Sequence, residues 1–260
     1  MNQTAAHQKA HFPSLRGKRV FVTGGGTGIG EAIVKAFVEQ GAVVAFVDIA
    51  REASEALCAK LAGDGHAAPV FRHCDITDIP ALQRTMAELA EALGDFDVLV
   101  NNAANDQRHD IEDVSLDYWN ERIAINQRPM FFTCQAVLPG MKKKGGGSII
   151  NFSSMSWHAK GAGYPVYATT KAAVIGLTRS LARDLGPYGV RVNTVTPGWV
   201  MTQRQVDLWV DEAAEIEIKK AQCLPGKLMP DDIAAMVLFL GADDSRMCTA
   251  QDFVVDAGWT

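Results

Sequence analysis

The chain has 260 residues, of which 48% are hydrophobic and 21% are charged, and its formal net charge is −5 at pH 7. This composition excludes global disorder, and the acidic balance argues against a nucleic-acid partner, which needs a basic face. Five scattered cysteines without a CxxC pair predict neither a disulfide framework nor a metal site. We find no signal-peptide core and no apolar run of the roughly 18–20 residues that span a bilayer. We therefore expect a soluble, cytoplasmic protein without a membrane partner.

Short β-branched runs alternate with longer helical patterns from one end of the chain to the other. The spacing predicts strands at 19–23, 42–48, 67–74, 96–101, 148–153, 191–196 and 253–256. It predicts helices at 28–40, 51–62, 78–93, 164–185 and 233–240, and one helix or two over 116–144 with a possible kink at Pro129.

Strands that alternate with helices indicate a parallel, doubly wound sheet. The predicted fold is α/β: a single Rossmann-type domain over residues 17–260, with about seven strands and helices on both faces. Residues 1–16 are predicted to be a flexible leader. The irregular, polar stretch 198–230 is predicted to be a lid over the site.

A glycine cluster, TGGGTGIG at 23–30, follows the first predicted strand and opens the first predicted helix. Glycines there let the backbone approach a pyrophosphate at the helix N-terminus, so the cluster predicts a dinucleotide site. Asp48 ends the second strand, where a carboxylate accepts hydrogen bonds from the adenosine ribose and repels a 2′-phosphate. NAD is therefore favoured over NADP, although the nearby Arg51 keeps NADP open. The alternative role for Asp48 is a helix N-cap.

Tyr167 and Lys171 are four residues apart, which places them on one face of a predicted helix. A neighbouring ammonium group favours the phenolate and lowers the pKa of a tyrosine. Ser154 follows the fifth strand, and the carboxyl ends of parallel strands meet at the ligand-binding edge of a sheet. Other segments expected at that edge are Asp75, Asn101 to Ala104 and Pro197-Gly198.

Together with Asn126 and the motif YATTK at 167–171, these segments make the sequence resemble the short-chain dehydrogenase/reductase family over about residues 17–258. The resemblance implies that Tyr167 is the general acid or base, that Lys171 lowers its pKa and binds the nicotinamide ribose, and that Ser154 binds the reacting oxygen. It also implies that Asn126 supports a proton relay. The implied NAD-binding residues are Gly24, Thr27, Gly28, Ile29, Gly30, Asp48, Asp75, Ile76, Asn102, Ala103, Tyr167, Lys171, Pro197, Gly198 and Val200.

The expected substrate wall is polar and aromatic, as a sugar site requires, rather than apolar. His158 could equally be an exposed loop residue, and Trp199 could be a core aromatic under the lid. The predicted substrate-binding residues are Asn105, Ser154, Trp157, His158, Tyr167, Trp199, Gln203 and Arg204.

Four segments resemble bacterial aldose 1-dehydrogenases of this family: NNAANDQRHD, GWVMTQRQ, AQCL and DDSRMCTAQDFVVDAGW. This resemblance implies that a hydride passes from C1 of a monosaccharide to NAD, giving an aldonolactone, in a homodimer or homotetramer. The alternatives are a 3-oxoacyl reductase, a dehydrogenase of another secondary alcohol or a non-catalytic binding protein on the same fold.

Overall fold

Seven strands form one parallel sheet in the computed structural model, which describes residues 10–260. Every neighbouring pair of strands is parallel, and the spatial order is third, second, first, fourth, fifth, sixth and seventh. The predicted Rossmann-type fold is confirmed. In chain order the strands are β1 (Arg19–Thr23), β2 (Val43–Asp48), β3 (Val70–His73), β4 (Val98–Asn101), β5 (Gly147–Phe152), β6 (Val190–Pro197) and β7 (Asp252–Val255).

The boundaries of all strands except β1 differ from the prediction by one to three residues, and two of these differences have local reasons. β3 begins at Val70 rather than at residue 67, because the preceding Pro69 has no N–H with which to pair. β6 begins at Val190, directly after Gly189, whose φ of +73° turns the chain out of the preceding helix.

Nine α-helices lie among the described residues, and none of them is long and apolar enough to cross a membrane. The predicted helix over 116–144 is two helices, which meet at Gln127. Pro129 lies in the first turn of the second helix, where its missing N–H costs nothing. The helices are α1 (Gly28–Glu39), α2 (Arg51–Gly63), α3 (Ile79–Leu93), α4 (Leu116–Asn126), α5 (Arg128–Lys144), α6 (Pro165–Leu185), α7 (Gln203–Trp209), α8 (Glu212–Ala221) and α9 (Pro230–Gly241).

The central strands are covered on both faces, as their continuous apolar sequences require. In β1, Val20 and Val22 belong to the core that packs against α1 and α9, whereas Phe21 belongs to the opposite core beside α3 and α5. This alternation follows from the two-residue period of a strand. The two cores hold the sheet rigidly between helix layers, so that its carboxyl edge can position a site.

The lid segment 198–230 is less irregular than predicted, because it contains α7 and α8. Each of these helices has a side-chain cap. Thr202 Oγ1 accepts a hydrogen bond from Gln205 N at 3.2 Å, and Asp211 Oδ1 accepts one from Ala214 N at 2.8 Å.

The predicted leader is only partly described, since its first nine residues lie outside the described part of the chain. From residue 10 onward it packs on the domain. Leu15 is fully buried, and Gln40 Oε1 accepts a hydrogen bond from Phe12 N at 2.8 Å. Phe12 and Leu15 of the predicted leader thus contact the domain, and the flexibility of the leader stays a prediction.

Candidate active site

A cavity of about 810 Å³ opens at the carboxyl ends of the strands, around the point between β1 and β4 where the strand order reverses. Open parallel sheets bind ligands at such a switch point. One end of the cavity is bounded by the loop after β1 and by the ends of β2 and β3. The other end is bounded by the loops after β4 and β5, by α6 and by the lid.

The glycine loop is packed so closely that two of its positions have no room for a side chain. A Cβ on Gly30 would stand 1.7 Å from Gly24 O, and one on Gly24 would stand 2.9 Å from Ala103 Cα. Gly24 also has a φ of +67°, which favours glycine. Thr27 is the N-cap residue of α1, but its side chain accepts no hydrogen bond from the N–H groups of the first turn. The N–H groups of the first turn are therefore available to an anion.

Asp48 supports this loop at the end of β2. Its Oδ2 accepts a hydrogen bond from Gly26 N and its Oδ1 accepts one from Ala50 N, both at 2.8 Å. Ala50, and not Asp48, is the N-cap of α2, so the alternative role as a helix cap does not apply. Arg51 points along α2, with Nη1 3.7 Å from Glu55 Oε1. The carboxylate keeps acceptor positions for ribose hydroxyls, since each oxygen has two lone pairs.

Asn102 ties the end of β4 to the glycine loop. Its Nδ2 donates to Gly24 O at 2.9 Å and lies 3.2 Å from Thr23 O, while its backbone N–H donates to Thr23 Oγ1. The structure brings all the residues predicted for the cofactor to the same cavity: Gly24, Thr27, Gly28, Ile29, Gly30, Asp48, Asp75, Ile76, Asn102, Ala103, Tyr167, Lys171, Pro197, Gly198 and Val200.

The three reactive side chains converge at the middle of the cavity. α6 begins at Pro165, which suits a first helical position, so Tyr167 lies in the first turn and Lys171 one turn later. Lys171 Nζ is 5.6 Å from the centroid of the Tyr167 ring and donates to Phe152 O at 2.9 Å. Ser154, just after β5, lines the cavity beside them. Its hydroxyl also caps the following turn by accepting from Ser156 N at 3.1 Å.

Burial dominates the titration of this pair. It raises the pKa of Tyr167 above the usual value, and the negative charge of Asp106 raises it further, while the hydrogen bond to Ser154 lowers it. Burial also lowers the pKa of Lys171 to about 8, against the opposing effect of Asp106. The pKa of Tyr167 is therefore raised, whereas the sequence led us to expect that Lys171 would lower it. Removing the phenolate from water costs more free energy than its interactions with nearby groups contribute.

Asn126 does not line the main cavity. This last residue of α4 is 1% exposed, and its side chain pairs with the backbone of Asn105. Asn126 Oδ1 accepts from Asn105 N at 2.7 Å, and Asn126 Nδ2 donates to Asn105 O at 3.1 Å. In this structure the residue fixes the loop after β4, and the proton relay that the resemblance implied stays a prediction.

The residues predicted for the substrate divide into two groups. Trp157 and His158 do not line the cavity, so the geometry does not support their place in the substrate wall. Trp157 Nε1 donates to Ser153 Oγ at 3.1 Å, and its ring stacks on exposed His158 with centroids 3.6 Å apart. Trp157 ends the short helical turn Met155–Trp157, and His158 directly follows it. The residues that do line the cavity are Asn105, Ser154, Tyr167, Trp199, Gln203 and Arg204.

Several lining residues at the substrate end were not predicted. Asp106 Oδ2 accepts from Gln205 Nε2 at 2.6 Å, across 99 positions of sequence, and Gln205 Oε1 accepts from Trp199 Nε1 at 3.0 Å. The Arg108 guanidinium carbon lies 5.7 Å from the Trp199 ring centroid. Asp106 and Arg108 are part of the segment NNAANDQRHD that the resemblance singled out, and that was the available signal. Further lining residues that were not predicted are Glu121, Glu217 and Trp259.

Comparisons with known proteins show the family to which the chain belongs. The family model described as enoyl-(acyl carrier protein) reductase matches residues 24–260. D-xylose 1-dehydrogenase from Caulobacter vibrioides is 50% identical over 250 residues, which are 96% of this chain and 98% of the relative. Probable galactose dehydrogenase GalD from Rhizobium meliloti is 47% identical over 249 residues, or 96% of this chain and 97% of the relative.

The fold is also shared with solved structures. A 3-oxoacyl-[acyl-carrier protein] reductase with bound NAD from Brucella melitensis matches with a TM-score of 0.88 and 30% identity, covering 100% of this chain and 98% of that chain. The matches extend over nearly the whole chain. The chain therefore belongs to the short-chain dehydrogenase/reductase family and is an oxidoreductase that uses a nicotinamide cofactor.

Proposed function

We propose that this enzyme oxidises an aldose at C1 with NAD and releases an aldonolactone. The observation that carries the proposal is the convergence of Ser154, Tyr167 and Lys171 in one cavity whose far end is polar and aromatic. The identities of 50% to a D-xylose dehydrogenase and 47% to a probable galactose dehydrogenase support a sugar as substrate.

The substrate end suits a monosaccharide. The Trp199 and Trp259 rings lie with centroids 6.2 Å apart, and both line the cavity, so they offer apolar faces to the C–H groups of a sugar ring. Asn105, Asp106 and Arg204 surround them with hydrogen-bonding groups. A long acyl chain would bury these polar groups without giving them hydrogen-bond partners, which is costly. This contrast favours an aldose over a 3-oxoacyl substrate.

The reaction needs a base at the anomeric hydroxyl and a fixed position for C1. Tyr167 takes the hydroxyl proton, and Ser154 holds the same oxygen. An oxidised nicotinamide, when bound, would supply the hydride acceptor, and Tyr167 and Lys171 are among the residues that would hold it. Lys171 donates to Phe152 O, which fixes its ammonium group 5.6 Å from the centroid of the Tyr167 ring. General base catalysis of this kind contributes typically about 10²–10⁴-fold, with orientation contributing much of the rest.

NAD rather than NADP is the cofactor that the ribose end favours. The Asp48 carboxylate lines the cavity and is held by two backbone N–H groups, so it cannot turn away from a 2′-phosphate.

We also propose that the protein forms a homodimer or homotetramer through α4, α5 and α6. Leu116 and Phe131 are exposed apolar residues on α4 and α5, and Gly176 on α6 has open space around it. Light scattering on the purified protein would measure the assembly.

A reducing, cytoplasmic location is part of the same proposal. All five cysteines of the sequence lie in the described part of the chain, and each of them is a free thiol. Reducing compartments keep thiols in this state. Thiol titration of freshly lysed cells, with and without a reductant, would check it.

The decisive experiment follows cofactor reduction at 340 nm across a panel of aldoses, polyols and secondary alcohols with NAD and NADP. Turnover of an aldose and detection of the aldonolactone are expected. Good turnover of a secondary alcohol with none of any aldose would refute the proposal. The Tyr167→Phe variant should lose at least about 10²-fold in kcat while it still binds NAD, because only the proton acceptor is removed.

A further inference from the structure

Asp106 joins the two segments that enclose the substrate end, the loop after β4 and the lid. Its Oδ2 accepts from Gln205 Nε2 at 2.6 Å, and its Oδ1 lies 3.4 Å from Arg204 Nη2. Gln205 Oε1 accepts in turn from Trp199 Nε1 at 3.0 Å. The Asp106 carboxylate therefore links the loop after β4 to the first turn of α7 and, through Gln205, to Trp199.

The backbone beneath this carboxylate is fixed. Both polar backbone groups of the preceding residue, Asn105, are paired with the buried side chain of Asn126, at 2.7 and 3.1 Å. Asp106 is thus held from α4 through the backbone of the preceding Asn105 and from the lid through its own side chain. A group fixed from two sides can select among substrates that differ in the position of a single hydroxyl.

The carboxylate retains capacity for a ligand. An ionised carboxylate offers about four acceptor positions, of which Gln205 and Arg204 take one each, so about two remain. The Asp106 side chain is 29% exposed and lines the cavity that Tyr167 and Lys171 also line. A neutral polyhydroxylated molecule supplies hydroxyl donors for those positions. An acid would be repelled there, and an apolar chain would leave them unpaired.

Resting on the proposed oxidation of an aldose, we propose that Asp106 is a specificity-determining residue of this enzyme: it accepts hydrogen bonds from sugar hydroxyls remote from C1, while Gln205 and Arg204 hold it in position from the lid. The enzyme should therefore prefer neutral sugars that carry a hydroxyl group on the carbon nearest to the Asp106 carboxylate.

The test compares the wild type with Asp106→Asn on an aldose that the wild type oxidises and on its singly deoxygenated analogues. Removing a hydrogen bond to a charged group should lower kcat/KM roughly 10- to 100-fold, mainly through KM. With the wild type, kcat/KM for one deoxy analogue should be lower than kcat/KM for the parent sugar by a similar factor. With that analogue, Asp106→Asn should have nearly the same kcat/KM as the wild type. Asp110→Asn, on the same loop but outside the cavity, is the matched control and should behave as the wild type. NAD affinity measured by fluorescence shows that each variant is folded.

The outcomes separate the two proposals. If the wild type oxidises no aldose, the proposed function falls and this inference falls with it. If an aldose is oxidised but Asp106→Asn keeps its kcat/KM and still discriminates among the deoxy analogues, only this inference is overturned. Should Asp106→Asn fail to fold, Gln205→Ala carries the test. It leaves the carboxylate in place and should raise KM several-fold with kcat retained, and an unchanged KM would overturn the inference.

Discussion

Replacing Asp48 by asparagine should change which dinucleotide the enzyme prefers. At an effective dielectric constant of 20, two unit charges about 4 Å apart repel by about 4 kcal/mol, which is nearly a thousandfold in affinity. The Asp48 carboxylate is fixed by Gly26 N and Ala50 N, so it cannot relax away from a 2′-phosphate. Its removal should therefore relieve most of that repulsion.

The same substitution weakens the binding of NAD. Asparagine keeps one acceptor oxygen for the two backbone N–H groups, so one of them loses a partner. A hydrogen bond to a charged group contributes about 1.5–3 kcal/mol. We therefore expect kcat/KM with NAD to fall roughly 10- to 100-fold while kcat/KM with NADP rises, so that their ratio moves by at least about a hundredfold.

Initial rates at 340 nm with both cofactors, at one saturating sugar concentration, measure this ratio. Glu52→Gln is the matched control, because it removes a negative charge four residues further along, on the first turn of α2 and outside the cavity. A ratio that moves less than tenfold in Asp48→Asn would refute the assignment of Asp48 as the discriminating group. Equal use of NAD and NADP by the wild type would refute it directly.

Three further perturbations test other parts of the structure. Asp106 raises the pKa of both Tyr167 and Lys171, so Asp106→Asn should move the rise of kcat/KM with pH, which follows deprotonation of Tyr167, to lower pH; an unshifted profile would contradict this. Leu15→Ala empties a fully buried position and should lower the free energy of unfolding in urea by about 2–5 kcal/mol, whereas a flexible leader would lose almost nothing. Gly30→Ala puts a Cβ 1.7 Å from Gly24 O and should abolish NAD binding in a fluorescence titration; unchanged affinity would show that the loop can widen.

The cofactor end of the site could be predicted from the sequence because its geometry is local. The glycine loop lies within eight consecutive residues, and Asp48 is placed by the strand that it ends. Tyr167 and Lys171 share a helical face by spacing alone. Each inference needs only the element type and the rule that the carboxyl ends of parallel strands meet at one edge. Accordingly, all the residues predicted for the cofactor line one cavity.

The substrate end depends on contacts that no local pattern contains. Asp106 meets Gln205 across 99 positions of sequence, and α7 and α8 have to fold before that contact exists. Trp157 was predicted to bind the substrate because it lies near Ser154 in the sequence, but it does not line the cavity. It ends a short helical turn, and its indole N–H donates to Ser153 Oγ. The charge of Lys171 led us to expect a lowered pKa for Tyr167, but burial raises it. The burial of one side chain depends on the whole fold, so a local sequence pattern cannot predict it.

This difference between the two ends has a consequence for how substrate preference can change. The pyrophosphate end is fixed by backbone geometry, since a Cβ at Gly24 or Gly30 would collide with backbone atoms. The substrate end is closed by side chains from separate segments, and its loop is anchored by Asn126 on the side away from the cavity. Exchanges at Gln205 or Arg204 can therefore reposition the Asp106 carboxylate without disturbing the glycine loop. Such lid variants should change KM for the sugar while the KM for NAD stays constant, whereas a variant of Asn126 should disturb the whole loop and lower stability as well.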